Sequence, residues 1–150
     1  MSDEEILRNF EDCTYPLVEW NQRAHVRVAF IYLSRFPYEA ALTRMRNGIK
    51  KYNAAHQVPE NQTSGYNETT TCALFHIIAA TMQAYAKTHP VSTSDEFCDM
   101  HPQLMNKHVL RLFYTPGRRM EPGAKTEFLE PDLAPLPRRI GALIKRRKQR

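Results

Sequence analysis

The chain has 150 residues, of which 42% are hydrophobic and 25% charged, a composition that is ordinary for one globular domain. No apolar run reaches the ~20 residues that a membrane span needs, and the acidic start does not fit a signal or transit peptide. The three cysteines are widely spaced and form no CxxC pattern, which argues against a disulfide framework. These features predict a cytoplasmic protein with reduced thiols.

The charge is unevenly distributed along the chain. Seven positive charges and no negative ones lie in residues 138–150, so that the net charge of +5 becomes −2 for residues 1–137. We therefore predict a helical domain over 1–137 and a flexible basic tail over 138–150. The domain itself shows no basic surface of the kind that binds nucleic acid. The tail, with its short apolar stripe, fits a contact with an acidic partner.

Start signals and apolar spacing predict three helices in the first part of the chain. Residues 2–5 form a capping box for a short helix that ends before Pro16. A second helix is predicted from residue 20 or 21 to residue 34 or 35, and a third from residue 38 to about residue 56. The basic residues of the third helix, Arg46 among them, fall opposite its apolar stripe and are predicted to face solvent.

The longest apolar run follows a polar loop over residues 57–65 and predicts a buried helix from about residue 66 to residue 87. A capping box at 93–96 begins another short helix, and residues 102–114 fit one amphipathic helix or two short ones. The dipeptide at 116–117, Pro-Gly, is interpreted as a break.

Residues 122–128 have room for a last helical turn or two, and the proline-rich segment 130–137 is predicted to lie extended on the surface. No segment alternates apolar and polar residues well enough to predict a strand. The expected fold class is therefore all-α, a single-domain array of about six helices around the buried helix at about 66–87.

One candidate for chemistry is the pair Gln22 and His25, which lie three residues apart and share a helical face. His25 also belongs to the apolar stripe of its helix, so its ring is expected to point inward. An inward imidazole is compatible with acid–base chemistry and equally with a buried histidine that makes one hydrogen bond.

The second candidate is Tyr66-Asn67-Glu68-Thr69 at the start of the buried helix. Glu68 repeats onto apolar positions of that helix, which places its carboxylate toward the interior, where it needs a partner or a function. The same residues also fit a helix cap, with Asn67 near the N-cap and Glu68 in the first turn. The sequence leaves both interpretations open.

The two candidates, together with the segment 128–137, resemble an uncharacterised bacterial family of small helical proteins. The motifs that carry the resemblance are Trp20-x-Gln22-x-x-His25-Val26, Tyr66-Asn67-Glu68-Thr69 and the proline-rich Phe128–Pro137. The resemblance covers about residues 10–137. It implies a site at these motifs and brings no activity with it.

The family pattern has histidines at the positions of Gln22, His25 and Asn67, beside Glu68. Three imidazoles and a carboxylate would suit Zn, Fe or Mn. Because two of the three histidines are amides in this chain and neutral amides bind these metals poorly, we expect no metal or other cofactor.

Two functions from different classes follow. The first is a small enzyme acting on a small polar or carbonyl-bearing molecule, with His25 and Glu68 as acid–base residues. Trp20, Gln22, Tyr66 and Asn67 would then bind the substrate. The alternative is a non-catalytic small-molecule-binding or protein-interaction module in which the His/Glu cluster is a buried structural network. An open cavity that reaches both His25 and Glu68 would favour the enzyme.

Overall fold

The computed structural model describes residues 1–139, so most of the predicted basic tail lies outside the described residues. The described chain forms six α-helices and four short 3₁₀ turns. The α-helices are α1 (Asp3–Glu11), α2 (Gln22–Arg35), α3 (Tyr38–Ala55), α4 (Glu68–Tyr85), α5 (Ser94–Met100) and α6 (Pro116–Arg119). The 3₁₀ turns are Leu17–Glu19, Pro102–Met105, Val109–Leu112 and Pro122–Lys125. Residues 1–139 form no strand, which confirms the all-α prediction.

Side-chain caps set the starts of most helices. The hydroxyl or amide oxygens of Ser2, Asn21, Asn67 and Thr93 each accept a hydrogen bond from a backbone N–H in the first turn that follows. Thr115 does the same for α6, a helix that the sequence did not predict. Pro116 is tolerated there because the first helical residue needs no intrahelical N–H.

The helices pack around α2 and α4. Helix α2 contacts α1, α3, α4 and α5, and the eight residues on its buried faces include Val26, Val28 and Ile31. Helix α4, the predicted buried helix, contacts α2 and α3 and buries Phe75 and Ile78. None of the described helices is both long and apolar enough to cross a membrane.

An aromatic cluster holds the segment before α2 against α1 and α3. The fully buried ring of Phe10 stacks on Trp20 at 4.9 Å and on Tyr52 at 6.0 Å between ring centroids. Gly48 gives Phe10 its space, because a Cβ there would lie 2.5 Å from the ring. The cluster fixes Trp20 and, through it, the start of α2.

A polar cluster joins α1, α2 and α5. The nearly buried Arg27 donates through Nε to the Ser94 hydroxyl at 2.7 Å and through Nη2 to the Met1 carbonyl at 2.7 Å. The Ser94 hydroxyl and backbone N–H both donate to the Asp3 carboxylate. Every group of this cluster is partnered, as buried polar groups require.

The chain after α6 returns across the start of α4. The buried hydroxyl of Thr69 donates to the Glu127 carbonyl at 3.0 Å and accepts from the Leu129 N–H at 3.1 Å. Further on, the Arg139 guanidinium lies 3.4 Å from the centroid of the Tyr38 ring. The first residues of the predicted tail therefore contact the helical domain.

Candidate functional site

A cavity of about 420 Å³ opens between α2, α3 and the first turns of α4, and we call it the central pocket. Its wall includes five of the six predicted site residues, Trp20, Gln22, His25, Tyr66 and Asn67. An apolar part of the wall consists of Met45, Ile49, Leu74 and Phe75. A mostly apolar cavity with a few polar groups is the usual form of a small-molecule site.

His25 lies in the second turn of α2, half-buried in the wall of the pocket. Its Nδ1 is 2.8 Å from the Asn21 carbonyl oxygen, and its ring lies 4.0 Å from the Trp20 ring between centroids. Burial lowers the pKa of His25 below the usual 6.5, although the Asn21 carbonyl favours the protonated ring. The imidazole is therefore neutral at pH 7.

The proton of this neutral ring has a defined position. A carbonyl oxygen only accepts hydrogen bonds, so Nδ1 carries the proton that is donated to Asn21. Nε2 is left with a lone pair and has no hydrogen-bond partner within residues 1–139. His25 thus offers the pocket a hydrogen-bond acceptor or a base.

Gln22 lies on the same face of α2, one turn before His25. Its Nε2 donates to the Leu104 carbonyl at 3.0 Å, which fixes the amide against the 3₁₀ turn at 102–105. In the described part of the chain no hydrogen bond engages its Oε1. Gln22 and His25 therefore present two acceptors to the same side of the pocket.

Asn67 is held as a structural cap. Its Oδ1 accepts from the Thr70 N–H at 2.9 Å, and its Nδ2 donates to the Arg119 carbonyl at 3.4 Å. Both ends of the amide are in use, so Asn67 shapes the wall of the pocket more than it offers hydrogen bonds to a ligand.

Glu68 does not face the central pocket. Its carboxylate accepts a bidentate pair of hydrogen bonds from Arg46, at 2.9 Å from Nε and 2.8 Å from Nη2. The Tyr66 hydroxyl donates to it at 2.5 Å and the Cys72 thiol at 3.3 Å. The described residues contain no direct hydrogen bond between His25 and Glu68, and Glu68 is not part of the cavity wall that includes His25, because Arg46 binds its carboxylate instead.

Tyr66 lies between the central pocket and the surroundings of Glu68. Its side chain contributes to the wall of the central pocket and also to a neighbouring cavity of about 410 Å³ that contains Arg46, Lys50 and Glu68. Lys50 lies 4.9 Å from the centroid of the Tyr66 ring. The hydrogen bond from Tyr66 to Glu68 thus fixes the position of the Tyr66 side chain in the wall of the central pocket.

The electrostatics of Glu68 fit a structural ion pair. Burial raises its pKa, but the hydrogen bonds from Arg46, Tyr66 and Cys72 outweigh burial and lower the pKa to about 2. Burial and the neighbouring carboxylate raise the pKa of the Cys72 thiol to about 11. A carboxylate this acidic is a poor general base at neutral pH, and a thiol this weak is a poor nucleophile.

The partner of Glu68, Arg46, was not predicted from the sequence. Arg46 was predicted to face solvent, yet only 26% of its side chain is exposed. A signal was available, since an interior carboxylate needs a cation, but the apolar stripe of α3 did not show which basic residue would turn inward. Lys107, at the rim of the central pocket, was missed because it lies in a turn without periodicity.

The described residues contain no group of three or more His, Cys, Asp or Glu side chains that could hold a metal ion. Gln22, His25 and Asn67 all line the central pocket. Comparison with protein-family models, with curated proteins and with solved structures finds no match to the chain.

Proposed function

We propose that the protein binds a small, partly apolar molecule in the central pocket, with His25 as the group that accepts a hydrogen bond or a proton from it. The observation that carries this proposal is the unpartnered Nε2 of a neutral imidazole in the wall of a 420 Å³ cavity. Such a lone pair is available for binding or for general-base catalysis near neutral pH.

The shape and polarity of the central pocket restrict the chemical class of the ligand. Aromatic rings of Trp20 and Phe75 and aliphatic side chains of α3 favour a flat or aliphatic body. Nε2 of His25 and Oε1 of Gln22 are both acceptors, so the ligand should carry O–H or N–H donors at that end. A bare carbonyl oxygen would find no complementary donor at these two atoms.

The two interpretations of the His/Glu cluster apply to different residues, the structural one to Glu68 and ligand binding to His25. The Arg46–Glu68–Tyr66 network supports the structural interpretation for Glu68, while the open pocket supports ligand binding at His25. No carboxylate lines the central pocket among the described residues, so any turnover would use His25 as its general base, with Tyr66 and Lys107 as the other ionisable groups of the wall.

Trp20 makes this proposal directly testable, because it is the only tryptophan of the chain and lies in the pocket wall. We expect a screen of aromatic alcohols, phenols and amines to yield ligands that shift Trp20 fluorescence. The variant His25→Gln should bind these ligands about 5- to 10-fold more weakly, the effect of one lost hydrogen bond. Binding should also weaken as acid protonates Nε2.

Two further variants complete the test. Asn53→Phe, on the α3 side of the wall, should fill the pocket and abolish the fluorescence response without unfolding the protein. His89→Gln changes an exposed histidine away from the pocket and should bind as the natural protein does. Ligands that bind to both His25→Gln and Asn53→Phe as tightly as to the natural protein must bind outside the central pocket. This result would overturn the proposal.

A further inference from the structure

A third cavity, of about 310 Å³ and distinct from the one beside Glu68, adjoins the central pocket at the start of α4. We call it the basic cavity, and its cations are Arg111, Arg119 and Lys125. Gly65, Asn67 and Thr70 belong to the walls of both cavities. The two cavities therefore adjoin at these three small or polar residues.

The positive charge of the basic cavity is not balanced locally. No acidic side chain lines it within residues 1–139; the remaining polar wall consists of amides and hydroxyls, such as those of Gln62 and Thr63. Lys125 is already engaged, since it donates to the Asn61 and Ser64 carbonyls at 2.8 and 2.6 Å and lies 3.4 Å from the Glu60 carboxylate. Two charges remain, on Arg111 and Arg119.

Neither arginine forms an ion pair in the part of the chain that the structure describes. Nη1 of Arg119 makes one long hydrogen bond, 3.5 Å, to the Thr70 hydroxyl, and its buried Nε has no hydrogen-bond partner there. Burial and the nearby charge of Arg111 lower the pKa of Arg119, so the two cations repel each other. An uncompensated pair of guanidinium groups is satisfied by an oxyanion.

We propose that the basic cavity binds the phosphate group of the ligand whose body occupies the central pocket. The inference rests on the proposed function and names its substrate class, a small phosphate monoester with an apolar body. A phosphate monoester carries close to two negative charges at pH 7, which matches the two unpaired arginines, whereas a carboxylate supplies only one. Guanidinium groups also bind phosphate oxygens in a bidentate manner.

The first test uses inorganic phosphate as the probe. We expect the natural protein to bind it by titration calorimetry, and Arg111→Gln and Arg119→Gln each to weaken it at least about tenfold. Arg8→Gln, which removes an exposed arginine of α1, is the matched control and should leave binding unchanged. Binding that neither cavity variant weakens, or that acetate reproduces at equal affinity, would overturn the proposal.

Folding of the variants is checked by circular dichroism and thermal melting. Because Arg111 is exposed, its replacement should not disturb the fold, so the test stands even if Arg119→Gln destabilises the protein. Arg119→Lys keeps the charge and should recover part of the lost affinity.

The second test joins the two cavities and uses 4-(2-hydroxyethyl)phenol and its alkyl phosphate monoester. Both carry an aromatic body and a phenolic donor for His25, and only the ester carries the phosphate. We expect the ester to bind at least about tenfold more tightly by Trp20 fluorescence, and Arg119→Gln to abolish that advantage.

The outcomes separate this inference from the proposed function. If the parent phenol and the ester shift Trp20 fluorescence with equal affinity, the central pocket binds ligands and the phosphate proposal is overturned. If inorganic phosphate binds in an Arg119-dependent way but neither phenol affects Trp20, the basic cavity is an anion site and the proposed function of the central pocket fails.

Discussion

Glu68→Gln is expected to lower the free energy of unfolding by about 2–3 kcal/mol at pH 7, because it leaves the half-buried guanidinium of Arg46 without its counter-ion. Only 15% of the Glu68 side chain and 26% of the Arg46 side chain are exposed, so solvent replaces the lost interaction poorly. Urea unfolding followed by circular dichroism measures the difference. The matched control is Glu39→Gln, an exposed residue in the first turn of α3, which should change stability by less than about 0.5 kcal/mol.

The effect of Glu68→Gln should depend on pH in a defined direction. A carboxylate whose pKa is lowered from 4.5 to about 2 stabilises the folded state above pH 4.5 and loses this contribution as the pH falls toward 2. The shift corresponds to about 3 kcal/mol, in line with the expected cost of the substitution. The unfolding curves of the natural protein and the variant should therefore converge in acid. A difference in stability that stays constant from pH 7 to pH 2 would contradict the ion-pair interpretation.

The same variant distinguishes structure from catalysis. Because Glu68 faces away from the central pocket, ligand binding measured by Trp20 fluorescence should be preserved where Glu68→Gln remains folded. If fully folded Glu68→Gln loses ligand binding or turnover, Glu68 takes part in the function and is not only a structural residue.

The second large effect is expected for Phe10→Ala, with a loss of about 3–5 kcal/mol in the free energy of unfolding. The ring of Phe10 is fully buried and stacks on both Trp20 and Tyr52, so its removal leaves a cavity beneath the aromatic cluster. Trp20 should also become more mobile, and its fluorescence should shift to longer wavelength even without ligand. Thermal melting and emission spectra measure the two effects.

Phe128→Ala is the matched control, because it removes the same side chain from a partly exposed position. Phe128 is 38% exposed, and its truncation should cost less than about 1 kcal/mol and leave the Trp20 emission unchanged. Equal losses in Phe10→Ala and Phe128→Ala would show that neither the burial of Phe10 nor its stacking in the aromatic cluster stabilises the protein.

The sequence predicted the helices well wherever a cap and an apolar stripe occur together. The starts of α1, α4 and α5 follow from Ser2, Asn67 and Thr93, whose side chains cap in the structure as expected. Asn21 also caps α2, for which the sequence predicted only a start at residue 20 or 21. Helix α6 and the 3₁₀ turns were harder to predict. Segments of three or four residues have no measurable periodicity, and Pro-Gly at 116–117 is compatible with a break as well as with a helix start.

The sequence predicted that most of the candidate residues lie close together but not that Arg46 pairs with Glu68. Helical spacing put Gln22 and His25 on one face, and five of the six expected residues do share a pocket. Periodicity gives the face of a helix but not the distance between side chains of different helices. The two candidate partners of Glu68, His25 and Arg46, lie on α2 and α3. Only the packing of these helices against α4 shows that Arg46 binds the carboxylate.

Thr69 has a consequence for the order in which the protein folds during synthesis. Its hydroxyl bonds residues 127 and 129, so the first turn of α4 is completed by chain made about 60 residues later. Contacts of such long sequence separation form late, because the intervening loop must close first. On the ribosome α1, α2 and α3 can associate early, whereas the hydrogen bonds of Thr69 in the first turn of α4 form only after residue 129 has left the exit tunnel.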